Sequence, residues 1–174
     1  MAVNIYPIPL GVGQGYIVQE EGVIMIDGGA PKKAKAFTKA MDSIPVKPTD
    51  IQLLILTHGH WDHIGSARDI KEITGAKIGL HRREKDWLER SLKPLPPGVT
   101  LWGKIFVKLM AMFMPFVHIP ATTVDVVFED EDFPLGEFGI AGTVVFTPGH
   151  TPGSVSILLD TGDAFVGDLE YVPG

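Results

Sequence analysis

Short apolar runs separated by turn residues fill the first third of the chain. Residues 4–10, 15–19 and 23–27 each have the length of a β-strand, and glycine or acidic residues stand between them. This pattern predicts an antiparallel meander, because short turns join strands that run in opposite directions. Over residues 31–43 the apolar positions recur at helical spacing among lysines, which predicts a helix on one face of the sheet.

The next segment alternates strand-like and helix-like patterns. Residues 51–57 form an almost unbroken apolar run, which is typical of a strand buried on both faces. A helix is predicted over residues 64–75, where Gly75 stops it, and a short strand over residues 76–81. This order is that of a β-α-β unit. Residues 83–92 carry opposite charges four positions apart and predict a solvent-facing structural helix.

Strand patterns return in the last third, so that two strand-rich halves flank a helical middle. Residues 122–128, 142–147, 154–159 and 164–168 are apolar runs separated by Gly, Pro and Asp turns. The acidic run at residues 129–132 is interpreted as a solvated turn, with a weak calcium site as the alternative.

Residues 105–117 make up the most apolar stretch of the chain, which Lys108 and Pro115 interrupt. The stretch is shorter than the roughly 20 apolar residues that cross a bilayer, so no membrane span is predicted. We interpret it as a core or dimer-contact helix, which leaves a homodimer open. A lid that forms an apolar substrate pocket and a helix on a membrane surface are the alternatives.

Length and composition narrow the possible classes of protein. At 174 residues the chain is predicted to form one domain over residues 1–174. The absence of cysteine excludes thiolate nucleophiles and zinc fingers, so any metal must be bound by His, Asp or Glu. A net charge of -6 with 15 Lys and Arg residues disfavours nucleic acid as a partner. The first residues lack the features of a targeting leader, so a cytoplasmic location is expected.

A cluster of histidines directly follows the apolar run that ends at Thr57. The motif "THGHWDH" contains potential metal ligands within six residues, namely His58, His60, Asp62 and His63. In extended backbone, residues two apart point to the same side, so His58 and His60 can share one ligand site. The other two side chains, at the following turn, face a neighbouring point. One short loop could therefore serve two metal ions.

Two later segments add candidate ligands. His150 lies between two Pro-Gly pairs in "TPGHTPGS", which stiffen the loop between two predicted strands and so orient the imidazole. Asp168 ends the apolar segment "AFVGD", where a carboxylate could bridge two cations. A structural histidine and a turn-forming aspartate are the alternative interpretations.

These segments resemble the motifs of the metallo-β-lactamase superfamily. The His-x-His-x-Asp-His pattern of that family is present at residues 58–63. His150 in "TPGHTPGS" is similar to the next ligand histidine of the family, and Asp168 in "VGD" to its bridging aspartate. Asp27 in "IDGG" is similar to its early structural aspartate. The resemblance covers residues 5–168.

The resemblance implies an α+β fold, an αββα sandwich in which two sheets pack face to face with helices outside. It also implies two zinc ions, for which iron and manganese are alternatives. The implied ligands are His58, His60 and His150 for the first ion, Asp62 and His63 for the second, and Asp168 shared between them. A zinc-bound hydroxide would be the nucleophile, and Asp62 would also guide a proton.

The chain departs from the family pattern after Asp168. Family members usually supply one more ligand histidine and terminal helices beyond this position, whereas only "LEYVPG" follows here. His81 and His118 each stand alone in the sequence and are interpreted as structural. We therefore expect a truncated chain whose C-terminal elements are shortened or missing, with a self-complementing dimer as the alternative.

The predicted function is hydrolysis of a small activated acyl compound, which is a thioester, a lactone or an ester. The absence of a thiolate ligand disfavours a dedicated β-lactamase. The alternative function is a catalytically weak or inactive metal-binding module of the same fold, completed by another chain or by missing C-terminal sequence. A nuclease or phosphodiesterase is a third possibility, which the negative net charge disfavours.

Overall fold

Two β-sheets and a set of short helices make up residues 2–94 and 101–168, which are the part of the chain that the computed structural model describes. The strands are β1 (Asn4–Pro9), β2 (Gln14–Gln19), β3 (Val23–Ile26), β4 (Leu53–Ile55), β5 (Lys77–His81), β6 (Val126–Phe128), β7 (Phe133–Pro134), β8 (Gly142–Phe146), β9 (Val155–Leu159) and β10 (Ala164–Phe165). The helices are α1 (Ala34–Met41), α2 (Trp61–Ile64), α3 (Ala67–Thr74), α4 (Lys85–Glu89) and α5 (Leu101–Phe113). Single 3-10 turns lie at Pro48–Asp50, Met114–Phe116 and Gly136–Phe138.

The strands divide into two sheets according to their place in the chain. Sheet 1 has the order β1-β2-β3-β4-β5-β6, with antiparallel pairing up to β3 and parallel pairing from β3 to β6. Sheet 2 has the order β10-β9-β8-β7 and is antiparallel throughout. The predicted N-terminal meander and the β-α-β unit are both confirmed.

The two faces of the central strands of sheet 1 contribute side chains to two separate hydrophobic cores. On β3, Ile24 and Ile26 pack against Val144 and Ile157 of sheet 2, while Met25 between them packs under the helices. Successive side chains of a strand point to opposite faces, so an all-apolar strand must be covered on both sides. The sequence pattern of residues 51–57 predicted this burial, and β4 is fully buried.

The layers agree with the predicted sandwich. Buried residues of α1 to α4, such as Phe37, Ile70 and Leu88, belong to the core on the outer face of sheet 1. The inner face of sheet 1 packs on sheet 2, whose outward-facing Leu158 is 43% exposed. Two sheets therefore pack face to face, as the resemblance implied, and α1 to α4 lie on the outside of sheet 1. Residues 169–174 lie outside the described part of the chain.

The structure changes three details of the sequence interpretation. The helix expected over residues 83–92 is not wholly solvent-facing. Glu84 at its start and Leu88 on its inner face are both fully buried. The opposite charges four positions apart correctly indicated the solvent-facing side of this helix, but they gave no sign of its buried side. Strand β7 was not predicted, because it has only two residues and one of them is Pro134. The strand expected over residues 164–168 ends after two residues.

Three further interpretations bear on the surface. The apolar segment over residues 105–117 is largely helical, but the interpretation as a core helix is wrong for most of its described residues, because Leu109, Phe113 and Phe116 are 51%, 66% and 85% exposed. His81 is fully buried and stacks on Phe146 with ring centroids 4.6 Å apart, which fits a structural histidine. His118 is exposed.

The acidic turn at residues 129–132 is not only solvated but also hydrogen-bonded to neighbouring parts of the fold. Asp130 accepts hydrogen bonds from Arg82 and Arg83 at 3.2 and 2.7 Å, and Arg83 also donates to the carbonyl oxygen of Pro152. These bonds connect the end of β5 to the loop that carries His150.

A search of the described residues finds no helix that is both long enough and apolar enough to traverse a bilayer.

Asp125 fastens the start of β6 to sheet 1. Its Oδ2 accepts hydrogen bonds from the backbone N–H of Ile78 at 2.8 Å and from Nζ of Lys71 at 2.5 Å. Burial by itself would raise the pKa of Asp125, but the bonds from Lys71 and Ile78 outweigh it and hold the pKa below its ordinary value of 3.8. The ionised form is therefore more stable in the folded than in the unfolded chain.

We expect Asp125→Asn to lower the free energy of unfolding at pH 7 by about 1 kcal/mol, because a charge-assisted hydrogen bond is lost. A carboxyl with a depressed pKa stabilises the fold above its unfolded pKa and loses this effect as the pH falls. The difference between the two proteins should therefore shrink below about pH 4. Urea unfolding at several pH values measures this difference in the free energy of unfolding. Asp160→Asn, at an exposed position, is the control, and a difference that does not change with pH would contradict the assignment.

Candidate metal centre

The loop after β4 carries the first two candidate ligands. Strand β4 ends in sheet 1, the chain bends at Thr57 and His58, and His60 has extended φ and ψ of -72° and 151° directly before the first turn of α2. Nε2 of His58 and Nδ1 of His60 lie 3.1 Å apart. The two side chains therefore meet as predicted, although the backbone is not extended throughout.

His150 completes this first donor group from the hairpin loop between β8 and β9. Its Nε2 lies 2.9 Å from Nδ1 of His60, although 90 residues separate the two in the chain. Three imidazole nitrogens thus meet around one point, in residues that are buried or half-buried. The edge of a tetrahedron with Zn–N distances of about 2.0 Å is about 3.3 Å, so the spacing fits one small cation.

The His150 loop is fixed by its own hydrogen bonds and by sheet 1. The backbone N–H of Thr151 donates to Oγ of Ser154 at 3.1 Å, and the two hydroxyls lie 2.7 Å apart. The N–H of Val155 then donates to the carbonyl oxygen of Thr57 at 2.9 Å. The first residue of β9 is therefore bonded directly to the residue before His58, which joins the two ligand loops.

A second donor group lies beside the first and contains His58, His63 and Asp168. Oδ1 of Asp168 is 3.3 Å from Nε2 of His63, and Oδ2 is 3.6 Å from Nε2 of His150. The two oxygens of one carboxylate therefore face one imidazole from each group. This is the position that a bridging ligand would take.

Asp27 fixes the orientation of His63 from behind. The residue is buried at the end of β3 with φ of 58°, and its Oδ2 lies 3.0 Å from Nδ1 of His63. Its Oδ1 accepts the backbone N–H of Thr57 at 2.8 Å. With Nδ1 occupied by Asp27, the Nε2 atom of His63 is the one presented to Asp168.

The two groups differ in their protonation. Burial, with neighbouring imidazoles adding to it, lowers the pKa of His58 to about 2 and that of His60 to about 4. Both rings are therefore neutral at pH 7, as metal binding requires. Burial would also lower the pKa of His63, but Asp27 and Asp168 outweigh it and raise this pKa to about 10.

The carboxylate side of the centre therefore depends on a positive partner. The hydrogen bond from His63 lowers the pKa of Asp168 to about 2. In the metal-free protein, the proton on His63 supplies the positive charge that a cation would supply to Asp27 and Asp168. The donor set and its charges thus fit a cation at this place.

Asp62 is the one candidate ligand that the structure leaves outside both groups, as far as the described residues extend. Its half-buried side chain lines a cleft of about 420 Å³ together with His63 and Asp168. Tyr16 and Phe165 form an apolar part of the same cleft, with ring centroids 5.0 Å apart. The segment over residues 105–117 contributes no described residue to this lining.

Sequence reasoning missed two residues that support the centre. The ring of Trp87 stacks on His60 with centroids 6.3 Å apart and an interplanar angle of 15°. The buried carboxylate of Glu84 accepts hydrogen bonds from Gly59 and Gly153, one in each ligand loop. Both residues fall in the segment whose charge pairs predicted a surface helix, and no local pattern distinguishes a buried Glu there. The available signal was a glycine close to a ligand in each loop, with Gly59 between His58 and His60 and Gly153 three residues after His150.

Comparison with known proteins gives consistent results. The family model described as "Metallo-beta-lactamase superfamily" matches residues 9–174. The probable metallo-hydrolase YqgX of Bacillus subtilis is 27% identical over 169 residues, which are 95% of this chain and 69% of that protein. The hydroxyacylglutathione hydrolase GloC of Haemophilus influenzae is 27% identical over 157 residues, which are 89% of this chain and 64% of that protein.

The fold has a close counterpart among solved structures. The FEZ-1 metallo-beta-lactamase from Legionella gormanii aligns with a TM-score of 0.71 at 22% identity, over 98% of this chain and 63% of that one. At this identity the likeness concerns the fold. The chain spans between 60% and 69% of the length of the four curated relatives with the strongest matches.

Gly167 gives a test of how Asp168 is held. Its φ is +55°, and a Cβ at this position would lie 2.8 Å from Oγ1 of Thr57. We expect Gly167→Ala to lower the free energy of unfolding by about 2 kcal/mol, because it combines left-handed strain with a clash. Urea unfolding at pH 7 measures the change.

Two other glycines separate these causes. Gly162 has φ of +95° and no described neighbour within 4 Å of a Cβ, so Gly162→Ala tests strain alone and should cost about 1 kcal/mol. Gly149 has neither feature, and Gly149→Ala should change the free energy by less than about 0.5 kcal/mol. Equal effects at Gly167 and Gly162 would contradict the close approach to Thr57.

Proposed function

Since the chain belongs to the metallo-β-lactamase superfamily, we propose that it is a metal-dependent hydrolase of small activated acyl compounds. One observation carries the proposal: Nε2 of His58 and Nε2 of His150, from two separate loops, lie 3.1 and 2.9 Å from Nδ1 of His60, and the three nitrogens are all within 4.8 Å of one another. Neutral, desolvated imidazoles with facing lone pairs repel each other, and a cation removes this repulsion.

We propose zinc as the metal, because imidazole nitrogens and carboxylates in a tetrahedral arrangement suit it, with iron or manganese as alternatives. His58, His60 and His150 would hold the first ion. Asp62 and His63 would hold a second, with Asp168 shared between the two. A bound ion of this kind lowers the pKa of water, which makes a nucleophile available at neutral pH.

The surrounding residues would orient the reactants and handle protons. Asp27 keeps Nδ1 of His63 engaged, so that its Nε2 faces Asp168 and the cleft. Asp62 lines the cleft and would hold a proton at its carboxylate during the reaction. Tyr16 and Phe165 would pack against the carbon part of the substrate and keep water from that side.

The substrate class that we propose is a thioester, a lactone or an ester. The similarity to a hydroxyacylglutathione hydrolase supports acyl compounds in general. The mixed lining of the cleft, which includes both carboxylates and aromatic rings, supports a substrate that has an apolar portion. The net charge of -6 disfavours nucleic acids as substrates.

We expect His58→Ala, His60→Ala and His150→Ala each to abolish the binding of the first ion and to lower hydrolysis at least 100-fold, because each removes one of three nitrogens around one point. Elemental analysis after purification without added metal gives the ion content. A panel of generic thioesters, lactones and esters gives the activity. His118→Ala, at an exposed position, is the control and should leave both unchanged.

The competing possibility is a metal-binding module without activity. Full metal content in any of the three variants would overturn the proposed ligand set. One ion or none in the unaltered protein, together with no turnover across the panel, would favour the module over the hydrolase.

A further inference from the structure

Glu84 connects the two loops that carry the first donor group. Its Oε2 accepts the backbone N–H of Gly59 at 2.5 Å, and its Oε1 accepts the backbone N–H of Gly153 at 2.8 Å. Gly59 lies between His58 and His60, and Gly153 lies three residues after His150. One carboxylate therefore spans the gap between the loops.

The burial of Glu84 makes this contact energetically important. The residue is 0% exposed, and a buried carboxylate is unfavourable unless hydrogen bonds compensate its lost hydration. Within residues 2–94 and 101–168, no Lys, Arg or His side chain forms an ion pair with it, so backbone donors provide the compensation. Hydrogen bonds to an ionised acceptor are also stronger than those between neutral groups. Displacement of either loop would leave an acceptor oxygen buried without a partner.

Glu84 does not serve its own helix. It occupies the N-cap position of α4, but its side chain makes no capping hydrogen bond to that helix. A carboxylate at this position ordinarily accepts a bond from the first turn. Here the side chain is directed to two loops that are distant in sequence, 25 and 69 residues away.

The packing around the carboxylate requires glycine at both donors. A Cβ on Gly59 would lie 2.6 Å from Cε3 of Trp87 and 3.1 Å from Oε2 of Glu84. A Cβ on Gly153 would lie 2.8 Å from Cγ of Glu84. Side chains at these positions would hold the loops away from the carboxylate. The start of α4 and both ligand loops therefore fit together as one unit.

We infer that Glu84 is a positioning residue of the metal centre, which fixes the His150 loop relative to the loop of His58 and His60 by accepting one backbone N–H from each. The inference rests on the proposed function, because it assumes that the three imidazoles bind a cation. Glu84 does not touch the point where the imidazoles meet and acts through Gly59 and Gly153. Its loss should loosen the 2.9 Å spacing between His60 and His150.

The test compares Glu84→Gln with the unaltered protein. Gln keeps the shape but turns one acceptor oxygen into an NH₂ donor, which then faces a backbone donor. We expect the dissociation constant for Zn²⁺, measured by competition with a chromophoric chelator, to rise 10- to 100-fold. The visible absorption of the Co²⁺-loaded protein should also change, because it reports the geometry of the ligands. Glu72→Gln, with a side chain 61% exposed, is the control and should match the unaltered protein.

A second pair of variants covers the case in which Glu84→Gln does not fold. Gly153→Ala keeps the carboxylate but pushes its stem away from the loop, and Gly149→Ala alters the same loop where a Cβ has no described neighbour within 4 Å. Zinc affinity should fall at least 10-fold in the first and stay within twofold in the second. A purely structural role would lower the thermal midpoint of the metal-free protein but leave zinc affinity and the Co²⁺ spectrum of the folded protein unchanged.

The possible outcomes separate the two proposals. Unchanged zinc affinity in folded Glu84→Gln and in Gly153→Ala overturns the role of Glu84 and leaves the proposed function standing. Failure of the unaltered protein to bind Zn²⁺ or Co²⁺ overturns both. Metal binding that depends on Glu84, with no hydrolysis of any acyl compound tested, supports the positioning role and contradicts the hydrolase.

Discussion

The centre of this molecule depends on bringing three imidazole nitrogens together where water is largely excluded. Nδ1 of His60 lies within 3.1 Å of one neighbouring imidazole and 2.9 Å of another, and lone pairs so close together repel unless a proton or a cation lies between them. Burial also lowers the pKa of His58 and His60, so each of these rings is neutral at pH 7 and has only one N–H to donate. The surrounding structure must hold this unfavourable arrangement in place.

The two sheets provide the rigid part of that support. Parallel strand β4 and the hairpin of β8 and β9 end at the same edge of the sandwich, and the N–H of Val155 bonds directly to the carbonyl oxygen of Thr57. Buried carboxylates hold the individual ligand side chains and loops in place. Asp27 orients His63, and Glu84 holds a backbone N–H from each ligand loop. Each of these acidic groups is buried, so its hydrogen bonds are costly to break.

The two sides of the metal centre also differ in charge. One side has the neutral imidazoles of His58 and His60, whereas the other has His63 between two carboxylates, which raise its pKa to about 10. A single proton on His63 therefore balances part of the negative charge that Asp27 and Asp168 bring to the site. Asp168 contacts both sides, since one of its carboxylate oxygens lies near Nε2 of His63 and the other near Nε2 of His150.

The sequence by itself determined most strands of both sheets, most of the helices and the local ligand cluster. These features depend on spacing along the chain: apolar periodicity for the strands, Gly75 for the end of α3, and the two-residue spacing of His58 and His60. The motifs themselves also indicated Asp62, His150 and Asp168 as candidate ligands, and the resemblance to a known family added their assignment to two ions and the sandwich architecture. Among the described residues, Asp62 lies beside the donor groups rather than in one.

Only the tertiary structure decided which side of a helix faces the centre and which distant groups meet. The charge pairs of residues 83–92 indicated a surface helix because they report neighbours four residues apart, whereas the partners of Glu84 lie 25 and 69 residues away. The meeting of His60 with His150 across 90 residues follows from sheet pairing and sandwich packing, which no local pattern encodes. Burial then set the pKa values, because desolvation depends on everything that surrounds a group and not on its neighbours in the chain.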